Sequence, residues 1–164
     1  MALIVEDGTG KADAEAYCTV AFADAYFAAR NVTNWDGSTA HKEGLLRLAT
    51  DYMAAHYQWK GMRVTSTQAL DWPRTEVWAY GFPVAADTVP IAVQKACAEL
   101  AHRANTTELQ PDIGRTAIRE KVDVIEVEYA SGSRESTTFA AVNSMLAPFL
   151  NGTASGINKP LVRS

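Results

Sequence analysis

The sequence has few of the features that identify an enzyme, a secreted protein or a membrane protein by inspection. Its two cysteines, Cys18 and Cys97, have no cysteine or histidine nearby at metal-ligand spacing, which argues against a zinc site and a disulfide framework. No apolar run approaches the ~20 residues that cross a bilayer, and no basic-then-apolar segment opens the chain. We therefore expect reduced, buried thiols, no secretory signal and no membrane partner.

Basic charge is also scarce. The 164 residues include 15 Lys and Arg against 19 Asp and Glu, which gives a net charge of -4. A dedicated duplex-DNA-binding protein usually carries a basic face, because phosphate neutralisation supplies most of its affinity. The charge balance thus disfavours tight duplex binding, and only the end of the chain, with Lys159 and Arg163, is mildly basic.

Motifs of catalysis and cofactor binding are missing as well. The segment Gly8-Thr9-Gly10-Lys11 has one residue between its glycines, where a phosphate-binding P-loop has four, and Ala12 stands in place of the hydroxyl residue. No serine lies in a nucleophile elbow. No pair of histidines has the spacing of a helical zinc site; they are His41, His56 and His102. We expect a protein that is not an enzyme, without catalytic residues, metal or cofactor.

The apolar pattern predicts mainly helical structure. Helical periodicity covers about residues 20–30, 39–58 and 90–106, with Thr19 and Ser38 or Thr39 as caps of the first two. Residues 62–89 contain several prolines and glycines and are predicted to be irregular. Period-two alternation over 121–130 predicts a strand, with a return strand over 134–139.

These elements predict a fold and a domain division. The fold class is a small bundle of three to four helices with a C-terminal β-hairpin and extended terminal arms. A chain of this length forms one domain. Its parts are an N-terminal arm (1–18), a helical core (19–107), a hairpin (120–139) and a short helix (140–150), followed by a tail (151–164).

Aromatic and basic residues are concentrated in 57–78, and this cluster has two interpretations. Aromatic rings beside a cationic groove bind single strands by stacking, which would assign Lys60, Arg63 and Arg74 as nucleic-acid contacts. Alternatively, the cluster is a structural anchor in the core, formed by Trp59, Trp72, Pro73 and Arg74. We favour the anchor, because aromatic residues at junctions between helix and loop are usually buried.

Several short motifs carry a resemblance to a known family. They are Ile4 to Gly10, Ala23-Asp24-Ala25-Tyr26, Ala49-Thr50-Asp51-Tyr52, Gln68 to Arg74, Val89-Pro90 and Glu120-Lys121-Val122. In this order they resemble the head-tail adaptor (head-completion, connector) proteins of tailed bacteriophages, over about residues 2–150. Sequences of this kind often carry the label DnaT-like single-stranded DNA-binding.

The resemblance implies a structural subunit of the virion neck. Such subunits form an oligomeric ring, commonly a dodecamer, between the portal protein and the next neck or tail-completion protein. The ring extends the channel for genomic double-stranded DNA, which passes without specific binding during viral genome packaging and DNA ejection. The protein would then reside in the virion, and in the host cytoplasm during assembly.

Two hypotheses follow for the interacting residues. Under the neck hypothesis, residues 139–164 become ordered on docking to the portal or a neighbouring subunit, through Phe139, Val142, Met145, Leu146, Phe149 and Leu150. The alternative is a primosome-like single-stranded-DNA-binding protein that uses the cluster around Trp59, Trp72 and Arg63.

Overall fold

Four helices and three pairs of short strands form the described part of the chain. The computed structural model describes residues 2–111, 120–122, 125–127 and 139–152, with residues 120–122 and 125–127 given by backbone alone. In chain order the elements are α1 (Val20–Ala28), α2 (Thr39–His56), β1 (Met62–Arg63), β2 (Arg74–Thr75), β3 (Trp78–Ala79), β4 (Phe82–Pro83), α3 (Ile91–Ala104), β5 (Glu120–Val122), β6 (Ile125–Val127), α4 (Ala140–Leu146) and a 3₁₀ turn (Ala147–Phe149).

The first three helices lie close to their predicted positions. The Thr19 hydroxyl accepts a hydrogen bond from the Phe22 N–H at 3.0 Å, and the Ser38 hydroxyl accepts one from His41 at 3.2 Å. Both are N-cap contacts that satisfy a free N–H group of the first turn. Pro90 precedes α3, where its fixed φ suits a helix start.

The core is built on the packing of α2 against α3, which form the most extensive contact between elements. The buried side of α3 carries Ala96, Cys97 and Ala101, all fully buried, and such small side chains let two helices approach closely. Cys18 and Cys97 are both buried and unpaired. Helix α4 packs on α3 and adds Val142 and Leu146 to the same core.

The predicted fold class is wrong. Residues 62–83, predicted to be irregular, contain two antiparallel two-stranded sheets, β1–β2 and β3–β4. The molecule is therefore not a helical bundle with one C-terminal hairpin. Strands of two residues are too short to show period-two alternation, and a tight turn at Tyr80 and Gly81 joins β3 to β4.

The predicted C-terminal hairpin is also placed incorrectly. Strands β5 and β6 pair antiparallel, with Val122 opposite Ile125. Two antiparallel strands thus occupy part of the stretch predicted as one strand. The predicted return strand over 134–138 lies outside the described residues, and Phe139 directly precedes α4. The division of the domain at residue 150 stays a prediction.

The N-terminal segment packs on the core, with Ala16, Tyr17 and Cys18 buried. Its loop of residues 6–11 encloses the carboxylate of Glu6, which is 3% exposed. Glu6 Oε1 accepts from the N–H groups of Gly8 and Gly10 at 2.8 and 2.9 Å, and Oε2 accepts from Lys11 at 2.8 Å. The glycine-rich segment thus surrounds an anion of its own chain.

Removal of this carboxylate is expected to destabilise the fold. Glu6→Ala leaves three N–H donors without their charged acceptor, and we expect a loss of about 2 to 4 kcal/mol in the free energy of unfolding. Urea denaturation measures it. Asp7→Asn is the matched control, because Asp7 is exposed and pairs with Lys11 at the surface, and it should cost much less. Equal losses for the two variants would contradict the buried role of Glu6.

No helix in the described part of the chain is long and apolar enough to cross a membrane.

Candidate nucleic-acid interface

Two tryptophans of the predicted cluster, Trp59 and Trp72, point into the protein. Trp59 is 5% exposed and Trp72 is fully buried, and their rings meet edge to face with centroids 5.7 Å apart. Phe149 packs on Trp72 in the same manner at 5.9 Å. Pro73 follows through a cis peptide bond and is buried too. These rings have no face that a base could stack on.

Arg74 is occupied by the backbone around it. Its guanidinium donates to the carbonyl oxygens of Lys60 and Gly61 at 2.7 Å each and of Asp71 at 3.0 Å. Burial lowers the pKa of the guanidinium, which Asp71 partly counteracts. The structure thus places Arg74 where it fastens the segment after α2 to β2, with no surface for a phosphate.

The two other predicted cations are also engaged. Lys60 Nζ donates to the carbonyl oxygen of Pro148 at 2.7 Å. Arg63 forms an ion pair with Asp71 at 2.9 Å, although its side chain remains 44% exposed. The residues of the cluster are close in space, but they hold the chain together and do not form a continuous cationic path.

The predicted portal contacts also belong largely to the core. Four of the six are buried within the chain: Val142, Leu146, Phe149 and Leu150. Phe139 and Met145 are half-buried. Helix α4 thus packs on α3 within the chain, and a contact of these six residues with another protein stays a prediction.

Exposed aromatic residues lie instead on the hairpin formed by β3 and β4, residues 78–83, which we name the aromatic hairpin. Trp78 is 60% exposed, and Tyr80 and Phe82 are each 73% exposed. Trp78 pairs with Pro83 on one face, and Phe82 pairs with Ala79 on the other. Rings thus extend from both faces and from the tip, which is unusual for a soluble surface.

The turn of the aromatic hairpin holds Tyr80 in a conformation that few side chains adopt. Tyr80 and Gly81 both have positive φ, 55° and 84°, as in a type I′ turn. Asn or Gly is the usual residue at the first of these positions, and a bulky residue there costs about 1 kcal/mol or more. Tyr80 thus occupies a turn position that Asn or Gly usually fills, and its side chain is largely exposed.

A groove of about 440 Å³ adjoins this hairpin, and we name it the Arg30–Lys95 groove. Tyr80 and Phe149 form one wall, with ring centroids 6.2 Å apart. Arg30, after α1, and Lys95, on α3, supply its cationic groups. No acidic side chain lines it among the described residues. The arrangement combines aromatic surface with positive charge.

A second groove, of about 290 Å³, differs in charge. Asp51 and Glu108 line it, together with Leu48, Tyr52 and Leu109. Its acidic side chains repel phosphate. Within the described residues, no group of three His, Cys, Asp or Glu side chains is placed to bind a metal ion.

The sequence carried a weak signal for the aromatic hairpin and none for the groove. Trp78, Tyr80 and Phe82 alternate with small residues and include a glycine at the turn, but a long loop with aromatic residues usually buries them. Arg30 and Lys95 are 65 positions apart and belong to no motif. Only the packing of α1 against α3 brings them to one groove.

Comparison with protein families gives one informative match. A family model described as "Putative DnaT-like ssDNA binding protein" matches residues 1–164. Neither the curated proteins nor the solved structures yield a match.

This match contradicts the resemblance to head-tail adaptor proteins, and the resemblance is wrong. The assignment to a phage neck and to genome packaging or DNA ejection is wrong with it. The motifs behind that resemblance are short segments that fall in loops, in the helices α1 and α2, at the start of α3 and in strand β5. Buried Gln68, for example, donates to the carbonyl oxygens of Leu70 and Pro73. Such local needs recur in unrelated folds.

Proposed function

The chain belongs to this DnaT-like family, and we propose that it binds single-stranded DNA through the aromatic hairpin. The observation that carries the proposal is the exposure of Trp78, Tyr80 and Phe82 on one short hairpin. Base stacking on an aromatic ring contributes ~1–3 kcal/mol per base and accepts any base. Three rings therefore offer a platform for a few nucleotides without sequence readout.

The charge of the molecule favours a single strand over a duplex. With a net charge of -4, the chain has little long-range attraction for the dense phosphates of duplex DNA. In a duplex the base faces are stacked on one another and closed to the hairpin rings. In a single strand they are accessible, and stacking supplies the affinity that the charge does not.

Binding of a fluorescently labelled oligonucleotide tests the proposal. At ~50 mM salt we expect a Kd of about micromolar for a single strand, since three stacked bases contribute ~3–9 kcal/mol in total. Quenching of tryptophan fluorescence should accompany binding, because Trp78 is the exposed tryptophan of the four, with Trp35, Trp59 and Trp72 buried.

A duplex of the same sequence is the control, and we expect it to bind at least tenfold more weakly. Equal affinity for the two forms, or no binding of the single strand at low salt, would refute the proposal.

Other expectations from the sequence stay predictions. They are the absence of enzymatic activity, self-association into a ring, contacts with a portal or neck protein, and the location in the virion or host cytoplasm. Light scattering of the purified chain gives its mass and so tests self-association directly.

A further inference from the structure

The Arg30–Lys95 groove contains two cations that no carboxylate of the described chain neutralises. Seven ion pairs occur among the described residues, and neither Arg30 nor Lys95 takes part in them. Lys95 and Glu99 are four residues apart on α3, a spacing at which an ion pair normally forms. The positive charge of this groove therefore requires an explanation.

Glu99 is engaged elsewhere. Its carboxylate accepts a hydrogen bond from Arg103 at 2.7 Å through one oxygen and from the Tyr26 hydroxyl at 3.0 Å through the other. Burial, and secondarily the nearby Glu99 charge, raise the pKa of Tyr26, so its hydroxyl remains a donor at neutral pH. Both carboxylate oxygens thus accept from donors other than Lys95.

Arg30 is held in position by uncharged contacts. Its Cζ atom lies 3.6 Å from the centre of the Tyr26 ring, and its Nη1 donates to the Tyr26 carbonyl oxygen at 2.9 Å. These contacts orient the guanidinium and leave its charge unneutralised, with other N–H groups available to a ligand. Tyr26 therefore positions Arg30 through its ring and binds Glu99 through its hydroxyl.

We propose that the Arg30–Lys95 groove is the phosphate subsite of the DNA-binding surface. Backbone phosphates of the strand contact Arg30 and Lys95, while neighbouring bases stack on the aromatic hairpin, whose Tyr80 ring forms the boundary between groove and hairpin. The inference rests on the proposed function and adds a path for the strand. Two neutralised phosphates correspond to a slope of about -1.4 in log K against log salt concentration.

A salt titration of oligonucleotide binding tests this subsite. We compare the wild-type chain with the double variant Arg30→Gln and Lys95→Gln, and expect the magnitude of the slope to fall by about 1.4. The charge-preserving variant Arg30→Lys with Lys95→Arg should retain the wild-type slope. Thermal unfolding of each variant shows whether it folds. If the double variant does not fold, the single change Lys95→Gln takes its place, and we expect it to reduce the magnitude of the slope by about 0.7.

Arg63→Gln is the matched control, because Arg63 is exposed but already paired with Asp71. It should leave the slope unchanged. A wild-type slope in the double variant, with binding intact, would overturn the subsite and leave the proposed function standing.

Two further results would be decisive. Absence of oligonucleotide binding by the wild-type chain would overturn both proposals. A free nucleoside monophosphate is compared with an unlabelled oligonucleotide at equal phosphate concentration as a competitor of the labelled strand. If the two compete equally well, the groove is a mononucleotide pocket and the strand path is overturned.

Discussion

A variant without the three rings of the aromatic hairpin is expected to bind a single-stranded oligonucleotide at least about hundredfold more weakly than the wild-type chain. The loss of three stacking contacts, each contributing ~1–3 kcal/mol, sets this lower limit. Suitable replacements are Trp78→Thr, Tyr80→Asn and Phe82→Thr, because threonine favours strands and asparagine favours the type I′ turn. Fluorescence anisotropy measures the affinity.

Leu48→Ala is the control for a general loss of apolar surface. Leu48 is 55% exposed on α2 and lines the acidic groove, so its removal should leave the affinity unchanged. If the triple variant bound as tightly as the wild-type chain, the hairpin would not be the binding surface.

The single change Tyr80→Asn separates binding from folding. Asn tolerates positive φ better than Tyr, so the variant should be as stable as the wild-type chain or more stable, by up to ~1 kcal/mol. Its affinity should nevertheless fall about fivefold or more, the loss of one stacked base. A gain in stability together with weaker binding is a result that general damage to the fold cannot produce.

The second large effect is expected in the core. Leu146→Ala should lower the free energy of unfolding by about 2–5 kcal/mol, because the fully buried side chain leaves a cavity between α4 and α3. Domains of this size are stable by only about 5–15 kcal/mol, so the variant should be close to unfolding at 37 °C. Urea denaturation followed by circular dichroism measures the loss.

Ser144→Ala on the same helix is the matched control, because Ser144 is exposed and should change stability by less than ~0.5 kcal/mol. Similar values for both variants would mean that α4 contributes little to the fold. The sequence hypothesis assigned Leu146 to a contact with another protein; under that hypothesis Leu146→Ala would affect assembly and leave the stability of the monomer intact.

The helices were predictable because their signals are local. Thr19 and Ser38 can each be recognised as caps from the residues that follow them, and the small side chains along α3 indicate close packing. The short hairpins were not predictable in this way. The pairing of β3 with β4 depends on a turn at Tyr80 and Gly81, both at positive φ, and the strands β1 to β4 have two residues each, too few for periodicity.

The candidate site was largely hidden in the sequence because burial depends on tertiary neighbours. Trp59, Trp72 and Trp78 lie close together in the sequence, yet the first two are buried, with Phe149 of the 3₁₀ turn packed on Trp72, while the third is exposed. The sequence likewise does not show that Arg74 donates to the Lys60 carbonyl oxygen or that Arg63 pairs with Asp71. The anchor interpretation of Trp59, Trp72, Pro73 and Arg74 stays a prediction, and it says nothing about the exposed hairpin that follows.

The segment that follows α2 contacts the segment that follows α4 and the 3₁₀ turn, and these contacts affect how the protein folds during synthesis on the ribosome. Trp59 and Leu150 form an antiparallel bridge, and Asn151 donates to the carbonyl oxygens of Gln58 and Trp59. These contacts close a loop of about ninety residues, and contacts so distant in sequence form late. The nascent chain must therefore emerge from the ribosome as far as Phe149 before that side chain can cover Trp72, and until then the apolar surface around Trp72 is exposed and prone to aggregation.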